Sequence, residues 1–239
     1  MRQGRPTLAI TNEGESPLAA AADSVVGLHV AVERSVAATK TYTAQLAVVA
    51  LFAAAWNGEP ERMAELQALS QTLTATLRLN ADSMARRVER YCYMDGCVVI
   101  GRGYNYATAF ELALKLEELK SIMVTAYSSA DFRHGPVATI RERLPVLLVM
   151  PTGASSRDML ALAGELRQRG AELLVISDSP QALQLAQTPL PIAPAVPEWL
   201  SPLVTVLPGQ QMALFLALAR GLNPDLPQGD EDVLICRFL

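Results

Sequence analysis

The sequence predicts an α/β protein whose parallel sheet is covered by helices on both faces, in three layers. Four apolar stretches have the length and near-continuous hydrophobicity of buried strands, near residues 97–101, 122–127, 146–151 and 172–178. Helical patterns alternate with them near residues 105–120, 156–169 and 180–186. Strand–helix alternation of this kind is typical of a parallel sheet. The composition agrees, since 51% of the residues are hydrophobic and only 5% are aromatic.

The first third of the chain predicts two strands followed by three helices. The strands are expected at Pro6–Thr11 and Ser24–Val30, and the helices at Ala37–Trp56, Glu61–Arg78 and Asn80–Tyr91. Ser35 before the first helix and Asn57-Gly58 after it are ordinary start and stop signals. Two strands are too few for a complete α/β domain, so this region is expected to be the C-terminal half of one.

The last quarter of the chain is rich in proline. From Thr188 to Pro208 we expect the chain to follow the surface before a final helix at Gln210–Arg220. Proline also excludes regular structure from Asn223–Pro227. The predicted organisation is therefore a partial first domain over residues 1–82, a complete second domain over 83–222, and a tail over 223–239.

Charge and composition exclude several classes of partner. The net charge of −4 and the pI of about 5.3 provide no overall attraction for nucleic acid. The longest apolar run, Leu46–Trp56, is about half the length of a membrane span, and no secretory signal is visible. Cys92, Cys97 and Cys236 lack the spacing of a metal or redox motif. We expect a cytoplasmic protein with no membrane or nucleic-acid partner.

The segment after residue 97 carries the most chemical information. An apolar strand runs into the turn Gly101-Arg102-Gly103, and the next helix carries Glu111, Lys115 and Glu118. At about 100° per residue these three side chains fall within an arc of about 60° around the helix axis. Two carboxylates and one amine therefore share a narrow stripe.

Apolar residues border this stripe on both sides. Leu112 and Leu116 lie on one flank and Phe110 and Leu114 on the other, which predicts a mostly buried helix. Buried charge is costly unless it is paired or used, so the stripe indicates proton chemistry. The alternative is a surface ion-pair ladder, because Glu four residues before Lys contributes about 0.2–0.5 kcal/mol to a helix.

Other candidate residues have two interpretations each. His134, one of two histidines, could exchange protons near neutral pH or could cap a helix. The backbone of Gly101 and Gly103 could hold an anion, or the glycines could simply permit a tight turn. Lys40 could reach a phosphate or be solvated. No cluster of His, Asp, Glu or Cys has metal-ligand spacing, so no metal or organic cofactor is expected.

An ordered set of motifs resembles the double sugar-isomerase (SIS) family, and within it the isomerase half of glucosamine-6-phosphate synthases. The motifs are Ala9-Ile10-Thr11-Asn12, Ser16-Pro17-Leu18, Ser35–Thr43, Gly101–Tyr106, Glu111–Glu118, Arg133-His134-Gly135-Pro136, Pro208-Gly209-Gln210 and Gly221–Pro227. They cover nearly the whole chain in the family's order.

The resemblance implies SIS domains, a sugar-phosphate substrate, and a homodimer whose active sites lie at the subunit interface. It implies that Glu118 moves a proton between C1 and C2 of the open-chain sugar. It further implies that His134, donated by the neighbouring subunit, assists ring opening. Lys115 and Glu111 correspond to supporting polar residues. A sugar-contacting loop corresponds to residues Val36, Ala38, Thr39 and Lys40.

Three departures from the family pattern bear on activity. The family's serine/threonine phosphate loop has no counterpart before Pro6, so we expect either that an upstream segment is missing or that this polypeptide lacks the family's phosphate-binding loop. Asp232 stands where the family carries a tail lysine, and the chain's lysines are Lys40, Lys115 and Lys120. Ala38 replaces a usual serine.

These features lead to one main hypothesis and two alternatives. The main hypothesis is an amino-sugar-phosphate isomerase or deaminase that acts by ring opening and C1/C2 proton transfer. The first alternative is a non-catalytic regulatory protein that binds a sugar phosphate. The second is a chain that is inactive because it is incomplete. The sequence leaves open which sugar is bound.

Overall fold

The described part of the chain forms two units of unequal size. The computed structural model describes residues 4–33, 35, 37–118 and 122–225. The smaller unit contains the residues up to Ala64 together with Pro224 and Asp225, and the larger unit contains Glu65–Asn223. One continuous helix, α3 (Pro60–Glu89), includes both this boundary and residue 82, where the sequence placed it. The division at residue 82 remains a prediction.

The smaller unit is built from two parallel strands and two helices. Its elements are β1 (Leu8–Thr11), α1 (Pro17–Ala21), β2 (Ser24–Gly27) and α2 (Lys40–Asn57). Ser16 Oγ accepts a 3.2 Å hydrogen bond from the Ala19 N–H and so caps α1. Helix α2 ends at Gly58, whose φ of 66° is left-handed, as the sequence signal Asn57-Gly58 predicts.

The larger unit contains a five-stranded sheet in which all neighbouring strands are parallel, in the order β4-β3-β5-β6-β7. The strands are β3 (Gly96–Gly101), β4 (Met123–Ser128), β5 (Pro145–Val149), β6 (Glu172–Ser177) and β7 (Thr188–Pro191). Besides most of α3, the helices of this unit are α4 (Asn105–Glu117), α5 (Ser129–Arg133), α6 (Ser156–Gln168), α7 (Pro180–Leu183) and α8 (Ser201–Ala219). The α/β fold with a parallel sheet is confirmed.

Helices cover both faces of this sheet. Alternate strand residues such as Ile100, Leu148 and Val175 join one buried cluster with Phe132 of α5 and Leu162 of α6. Helix α4 packs against α8 and the sheet. The central strands are buried almost completely, as the unbroken apolar runs of the sequence predict.

The path of the chain reverses direction between β3 and β5. The first crossover leads from β3 through α4 to the edge strand β4, and the second leads from β5 through α6 to β6 on the other side. Right-handed crossovers that lead in opposite directions place their helices on opposite faces. Because the strands are all parallel, the turns after β3, β4 and β5 lie together at the carboxyl ends of the strands.

The sequence prediction of two separate helices before residue 91 is wrong, because α3 is continuous. The break was expected near Asn80, a residue that often interrupts helices. In the structure Asn80 is fully buried, and its Nδ2 donates a 2.8 Å hydrogen bond to the Pro191 carbonyl. This tertiary partner outweighs the weak helix propensity of Asn80.

The predicted surface segment from Thr188 to Pro208 is also wrong in two places. Pro189 and Pro191 lie in β7, an edge strand that can lack N–H donors on its outer side. Arg87 of α3 donates a 2.8 Å hydrogen bond to the Pro189 carbonyl on that strand. Helix α8 begins at Ser201 rather than Gln210 and contains Pro208, whose lost hydrogen bond is offset by burial of an almost wholly apolar helix.

One stretch of the described residues is long and apolar enough to cross a membrane by length and composition alone. It is Glu198–Ala219, which includes α8. In the structure, 56% of the most apolar 18-residue segment of this stretch is buried inside the protein. This burial is what the core helix of a folded domain requires, so the stretch is weak evidence for a membrane span.

Candidate active site

The turn between β3 and α4 needs glycine at two positions. A Cβ atom at Gly101 would overlap the backbone of Asn105, so only glycine lets the chain enter the helix so sharply. Gly103 has a left-handed φ of 57°. The geometry of the turn therefore explains both glycines. Their role in binding a substrate stays a prediction.

A buried polar network fixes the first turn of α4 to the first turns of α8. Asn105 Nδ2 donates a 2.7 Å hydrogen bond to Ser201 Oγ, and Asn105 Oδ1 accepts a 2.6 Å hydrogen bond from Thr205 Oγ1. Ser201 and Thr205 are fully buried, and Asn105 nearly so. Each polar atom thus gains a partner, as burial requires. The network sets the position of α4 on the sheet.

Glu111, Lys115 and Glu118 come together as the sequence predicts. Lys115 Nζ donates a 2.8 Å hydrogen bond to Glu118 Oε2 and lies 3.7 Å from Glu111 Oε1. Only 4% of the Lys115 side chain is exposed, against 24% for that of Glu118. The interpretation as an ion-pair ladder on an open surface does not fit this burial. Glu118 is the member of the group that solvent or a ligand can reach.

Glu111 is held in an environment that disfavours its charge. Burial raises the pKa of the Glu111 carboxyl from 4.5 to about 7, with the Lys115 ammonium opposing the increase and the Glu118 carboxylate adding to it. Within the described chain, Glu111 Oε1 is buried without a hydrogen-bond donor. A carboxyl group with a pKa near neutrality can exchange protons at physiological pH.

The apolar flanks of α4 differ in exposure, which corrects the expectation that both are buried. Leu112 and Leu116 are almost completely buried, whereas Phe110 is 53% exposed and Leu114 is 46% exposed. Helix α4 packs on α8 and the sheet through the first flank. The second flank is left uncovered by the part of the chain that the structure describes.

His134 lies at the end of α5, directly after β4. Its backbone N–H donates a 3.1 Å hydrogen bond to the Asp131 carbonyl, and its side chain is exposed. Gly135 follows with a φ of 154°, a conformation that favours glycine, and the turn continues into a short 3-10 helix at Pro136–Thr139. The imidazole is therefore presented to solvent beyond the carboxyl edge of the sheet.

Glu118 and His134 lie at opposite ends of the parallel strands. Helix α4 runs back from the carboxyl end of β3, so Glu118 at its C-terminus lies near the amino end of β4. His134 follows the carboxyl end of the same strand. The six residues of β4 span about 20 Å, which is far beyond hydrogen-bond reach. The fold does not bring these two residues of one chain to a common substrate.

The predicted sugar-contacting loop belongs to the smaller unit. Lys40 is the first residue of α2, and its Nζ donates a 2.9 Å hydrogen bond to the Val32 carbonyl. Its side chain is 42% exposed, and Nζ lies 3.9 Å from Glu33 Oε1. Thr39 precedes the helix without capping it through its side chain, and Ala38 lies in the preceding loop. Val36 lies outside the described residues.

Neither metal ligation nor thiol chemistry has a built site in the described chain. No group of three or more His, Cys, Asp or Glu side chains among these residues could hold a metal ion. Burial raises the pKa of the Cys97 thiol to about 12, which keeps it protonated and unreactive. Cys92 is half-buried, while Cys236 and Asp232 lie outside the described residues.

The sequence interpretation missed the side chains that hold α5 in place. Arg133 bonds to Asp158 in the first turn of α6, and Ser129 Oγ donates a 2.6 Å hydrogen bond to the same carboxylate. The available signal was an acidic residue in the first turn of a predicted helix, which usually indicates no more than a favourable helix dipole. These residues come together only because β4 and β5 pair with the two sides of β3.

Comparison with known proteins identifies the family. The model of the SIS domain matches residues 1–55 and 96–219. The chain belongs to the SIS domain family. The two matched stretches of this SIS protein include most of the smaller unit and the whole five-stranded sheet of the larger unit.

Curated relatives of this SIS chain are isomerising glutamine–fructose-6-phosphate aminotransferases. The enzyme of Gloeobacter violaceus is 35% identical over 95% of the chain, which corresponds to 39% of the enzyme's length. That of Methanothermobacter thermautotrophicus is 34% identical over 93% of the chain and 38% of the enzyme. The SIS chain thus spans about two fifths of the length of these relatives.

A solved structure has the same fold. The C-terminal domain of glucosamine-fructose-6-phosphate aminotransferase from Francisella tularensis superposes with a TM-score of 0.83 and 26% identity. The match covers 92% of this SIS chain and 64% of the other chain. The resemblance derived from the sequence motifs is confirmed at the level of family and fold.

Proposed function

We propose that this chain acts on a sugar phosphate as an isomerase or deaminase of the amino-sugar-phosphate type. The observation that carries the proposal is the buried Lys115, which lies between Glu111 and the partly exposed Glu118. Membership of the SIS family and relatives that are named isomerising fructose-6-phosphate aminotransferases support it. Burying a lysine against two carboxyl groups for structure alone is costly, because taking charged groups out of water carries a large desolvation penalty.

In the proposed mechanism Glu118 is the base that removes a proton from one of C1 and C2 and returns it to the other. A carboxylate can perform both halves of this transfer because it accepts a proton and then donates the same proton. Lys115 holds the Glu118 carboxylate in one orientation through the 2.8 Å hydrogen bond. Glu111, with its pKa near 7, keeps Lys115 in place and is a second site for a proton.

His134 is proposed to assist ring opening in the active site of a second copy of the chain. The exposure of its side chain and its separation from Glu118 of the same chain by about the length of β4 support this arrangement. In a two-fold dimer, each site would combine Glu118 of one copy with the other copy's equivalent of His134. The exposed Phe110 and Leu114 flank offers apolar surface for such an association.

The remaining predicted site residues receive binding roles in the proposal. Val36, Ala38, Thr39 and Lys40 are assigned to contact the sugar, and the N–H groups at Gly101 and Gly103 are assigned to an anionic group. The tail lysine of related synthases, a Schiff-base candidate, is replaced by Asp232. This replacement favours isomerisation or deamination over synthesis of an amino sugar.

The test compares two adjacent glutamates on α4. Glu118→Gln is expected to lower the turnover of glucosamine-6-phosphate and of fructose-6-phosphate by about 100-fold or more, because general-base groups contribute about 10²–10⁴-fold. Glu117→Gln, at an exposed position one residue earlier, is the matched control and is expected to remain within about twofold of the unchanged chain. Product formation, ammonia release and transfer of a deuterium label between C2 and C1 of the substrate are followed together by NMR.

Three outcomes separate the hypotheses. Loss of this deuterium transfer in the Glu118 variant alone supports the mechanism, and ammonia release distinguishes a deaminase from an isomerase. Full activity of the Glu118 variant contradicts the mechanism. Thermal stabilisation by either sugar phosphate without product formation favours the non-catalytic regulatory protein, which the replacement of the tail lysine by Asp232 also favours. A cytoplasmic location remains part of the proposal.

A further inference from the structure

Helix α5 is too short to hold its own conformation. It has five residues, and an isolated helix of this length is unstable in water because nucleation is costly. Ser128 Oγ caps it by accepting a 3.2 Å hydrogen bond from the Asp131 N–H. Phe132 is fully buried and anchors one side of the helix in the core. These contacts hold the start of α5 and its fourth residue, and they leave the last residue, Arg133, to other partners.

One carboxylate ties both ends of α5 to the neighbouring helix. Ser129 Oγ, at the first position of α5, donates a 2.6 Å hydrogen bond to Asp158 Oδ2. Arg133, at the last position, bonds to Asp158 Oδ1 through NH1 and donates a 3.2 Å hydrogen bond from NH2 to the Asp158 carbonyl. Arg133 NH2 also lies 3.5 Å from Glu165 Oε1, one further α6 carboxylate. The Asp158 carboxylate thus clamps the first and fifth residues of the segment.

The charged and polar groups around Asp158 favour its ionised form. Burial opposes ionisation of Asp158, but the hydrogen bonds from Ser129 and Arg133 and the charges of Arg133 and Arg102 outweigh it and lower the pKa of Asp158. An ionised aspartate that accepts from both a hydroxyl and a guanidinium makes charge-assisted hydrogen bonds, which are stronger than neutral ones.

The clamp ends one residue before His134. The backbone of His134 is bonded to Asp131 inside α5, so its direction follows the orientation of that helix. Gly135 then turns the chain away with a φ of 154°. We infer that Asp158 is a positioning residue for His134, acting through Ser129 and Arg133 to fix the direction in which the imidazole leaves the sheet. The catalytic consequence rests on the function proposed above, whereas the positioning itself does not.

The first experiment measures order at His134 without using activity. The backbone order parameter of the His134 amide is obtained by ¹⁵N relaxation for the unchanged chain and for Asp158→Asn. We expect a fall from about 0.85, the value of a rigid backbone, to below about 0.6 in the variant.

A matched variant controls for general loss of stability. Glu172→Gln converts a carboxylate that lies 2.6 Å from Arg90 at the start of β6, at the opposite edge of the sheet from His134. It is expected to leave the His134 order parameter unchanged. Ser129→Ala removes a single contact with Asp158 and provides a milder test if the Asp158 variant does not fold. An unchanged order parameter in a folded Asp158 or Ser129 variant overturns the inference.

The second experiment asks whether Asp158 acts through His134 in turnover. Asp158→Asn is expected to lower kcat about tenfold with little change in KM, and to have no further effect once His134→Ala is present. Independent, multiplicative losses in the double variant would show that Asp158 acts by another route and would contradict the inference. Full activity of His134→Ala alone contradicts the proposed role of His134 instead, and the relaxation measurement still decides the positioning.

Discussion

Lys115 and Glu118 form a hydrogen-bonded ion pair of 2.8 Å in which the lysine side chain is only 4% exposed. The pair lies on the face of α4 where Glu111 also approaches Lys115 Nζ, at 3.7 Å. A nearly inaccessible ammonium is stable only with compensating charge close by. Lys115 therefore depends on its neighbouring carboxyl groups for stability, and this dependence can be measured separately from any enzymatic activity.

Replacement of the central lysine should destabilise the protein. Lys115→Met keeps most of the side-chain volume but leaves the Glu118 carboxylate without its partner. Removing one member of a buried pair is strongly destabilising, so we expect the free energy of unfolding at pH 8 to fall by on the order of 3 kcal/mol. Chemical denaturation followed by circular dichroism measures the change.

The chain offers the same substitution at an exposed position as a control. The Lys40 side chain is 42% exposed and lies 3.9 Å from Glu33 Oε1. Lys40→Met should change the free energy of unfolding by less than about 1 kcal/mol, as is usual for surface ion pairs. Equal losses in the free energy of unfolding would show that burial of Lys115 does not strengthen its effect on stability.

Glu111 should make stability depend on pH. Its pKa is about 7 in the folded protein against an ordinary value of 4.5, so the folded state holds a proton that the unfolded state has lost between these values. The contribution of Glu111 is therefore fully present below about pH 4.5 and is lost as the pH rises through 7. Its full size is on the order of 3 kcal/mol.

Glu111→Gln tests this dependence because glutamine resembles the protonated carboxyl group. We expect the variant to match the unchanged protein near pH 5 and to be more stable above pH 7, by about 1–3 kcal/mol. Urea titrations between pH 5 and pH 9 give the two curves. Parallel curves at all pH values would mean that Glu111 titrates normally.

Two glycines within helices should respond in opposite ways to alanine. Gly209 of α8 packs against Leu112, and an added Cβ would overlap that side chain, which is 1% exposed. We expect Gly209→Ala to lower the free energy of unfolding by about 1–3 kcal/mol through overpacking. Gly164 of α6 has open space at its Cβ position, so Gly164→Ala should stabilise by about 0.5–1 kcal/mol.

Thermal unfolding of the two alanine variants gives the comparison directly. Each substitution adds one methyl group to a helix, so the difference in sign isolates packing from helix propensity. A higher Tm for Gly209→Ala would contradict the tight contact between α4 and α8.

The proposed shared active site makes a prediction about mixed dimers. Glu118→Gln and His134→Ala should each be nearly inactive, yet a mixed dimer would contain one intact site. If the subunits of the two variants exchange freely, half of the dimers are mixed and about 25% of the activity should return. Assays before and after co-refolding of the two variants measure the recovery. No recovery in verified mixed dimers would place Glu118 and His134 in the same subunit or in unrelated roles.

Local signals in the sequence were reliable where the chain's immediate neighbours decide structure. The strands at β3 and β6 and the end of α2 at Gly58 follow from apolar runs and a left-handed glycine. The proximity of Glu111 to Lys115 also follows, because helical spacing alone brings residues four apart together. The predictions failed at Asn80 and at the prolines of β7, where distant partners outweigh local propensity.

The sequence by itself determined the fold class, the family and the stripe of charges on α4, because apolar periodicity, motif order and helical spacing are properties of neighbouring residues. Only the tertiary structure decided that Lys115 is buried while the Phe110 flank is open, since burial depends on which elements pack against α4. It also decided that Glu118 and His134 lie at opposite ends of the parallel strands, and that Asp158 reaches both ends of α5. These relationships arise from the order of strands in the sheet, which the chain forms through contacts between residues far apart in sequence.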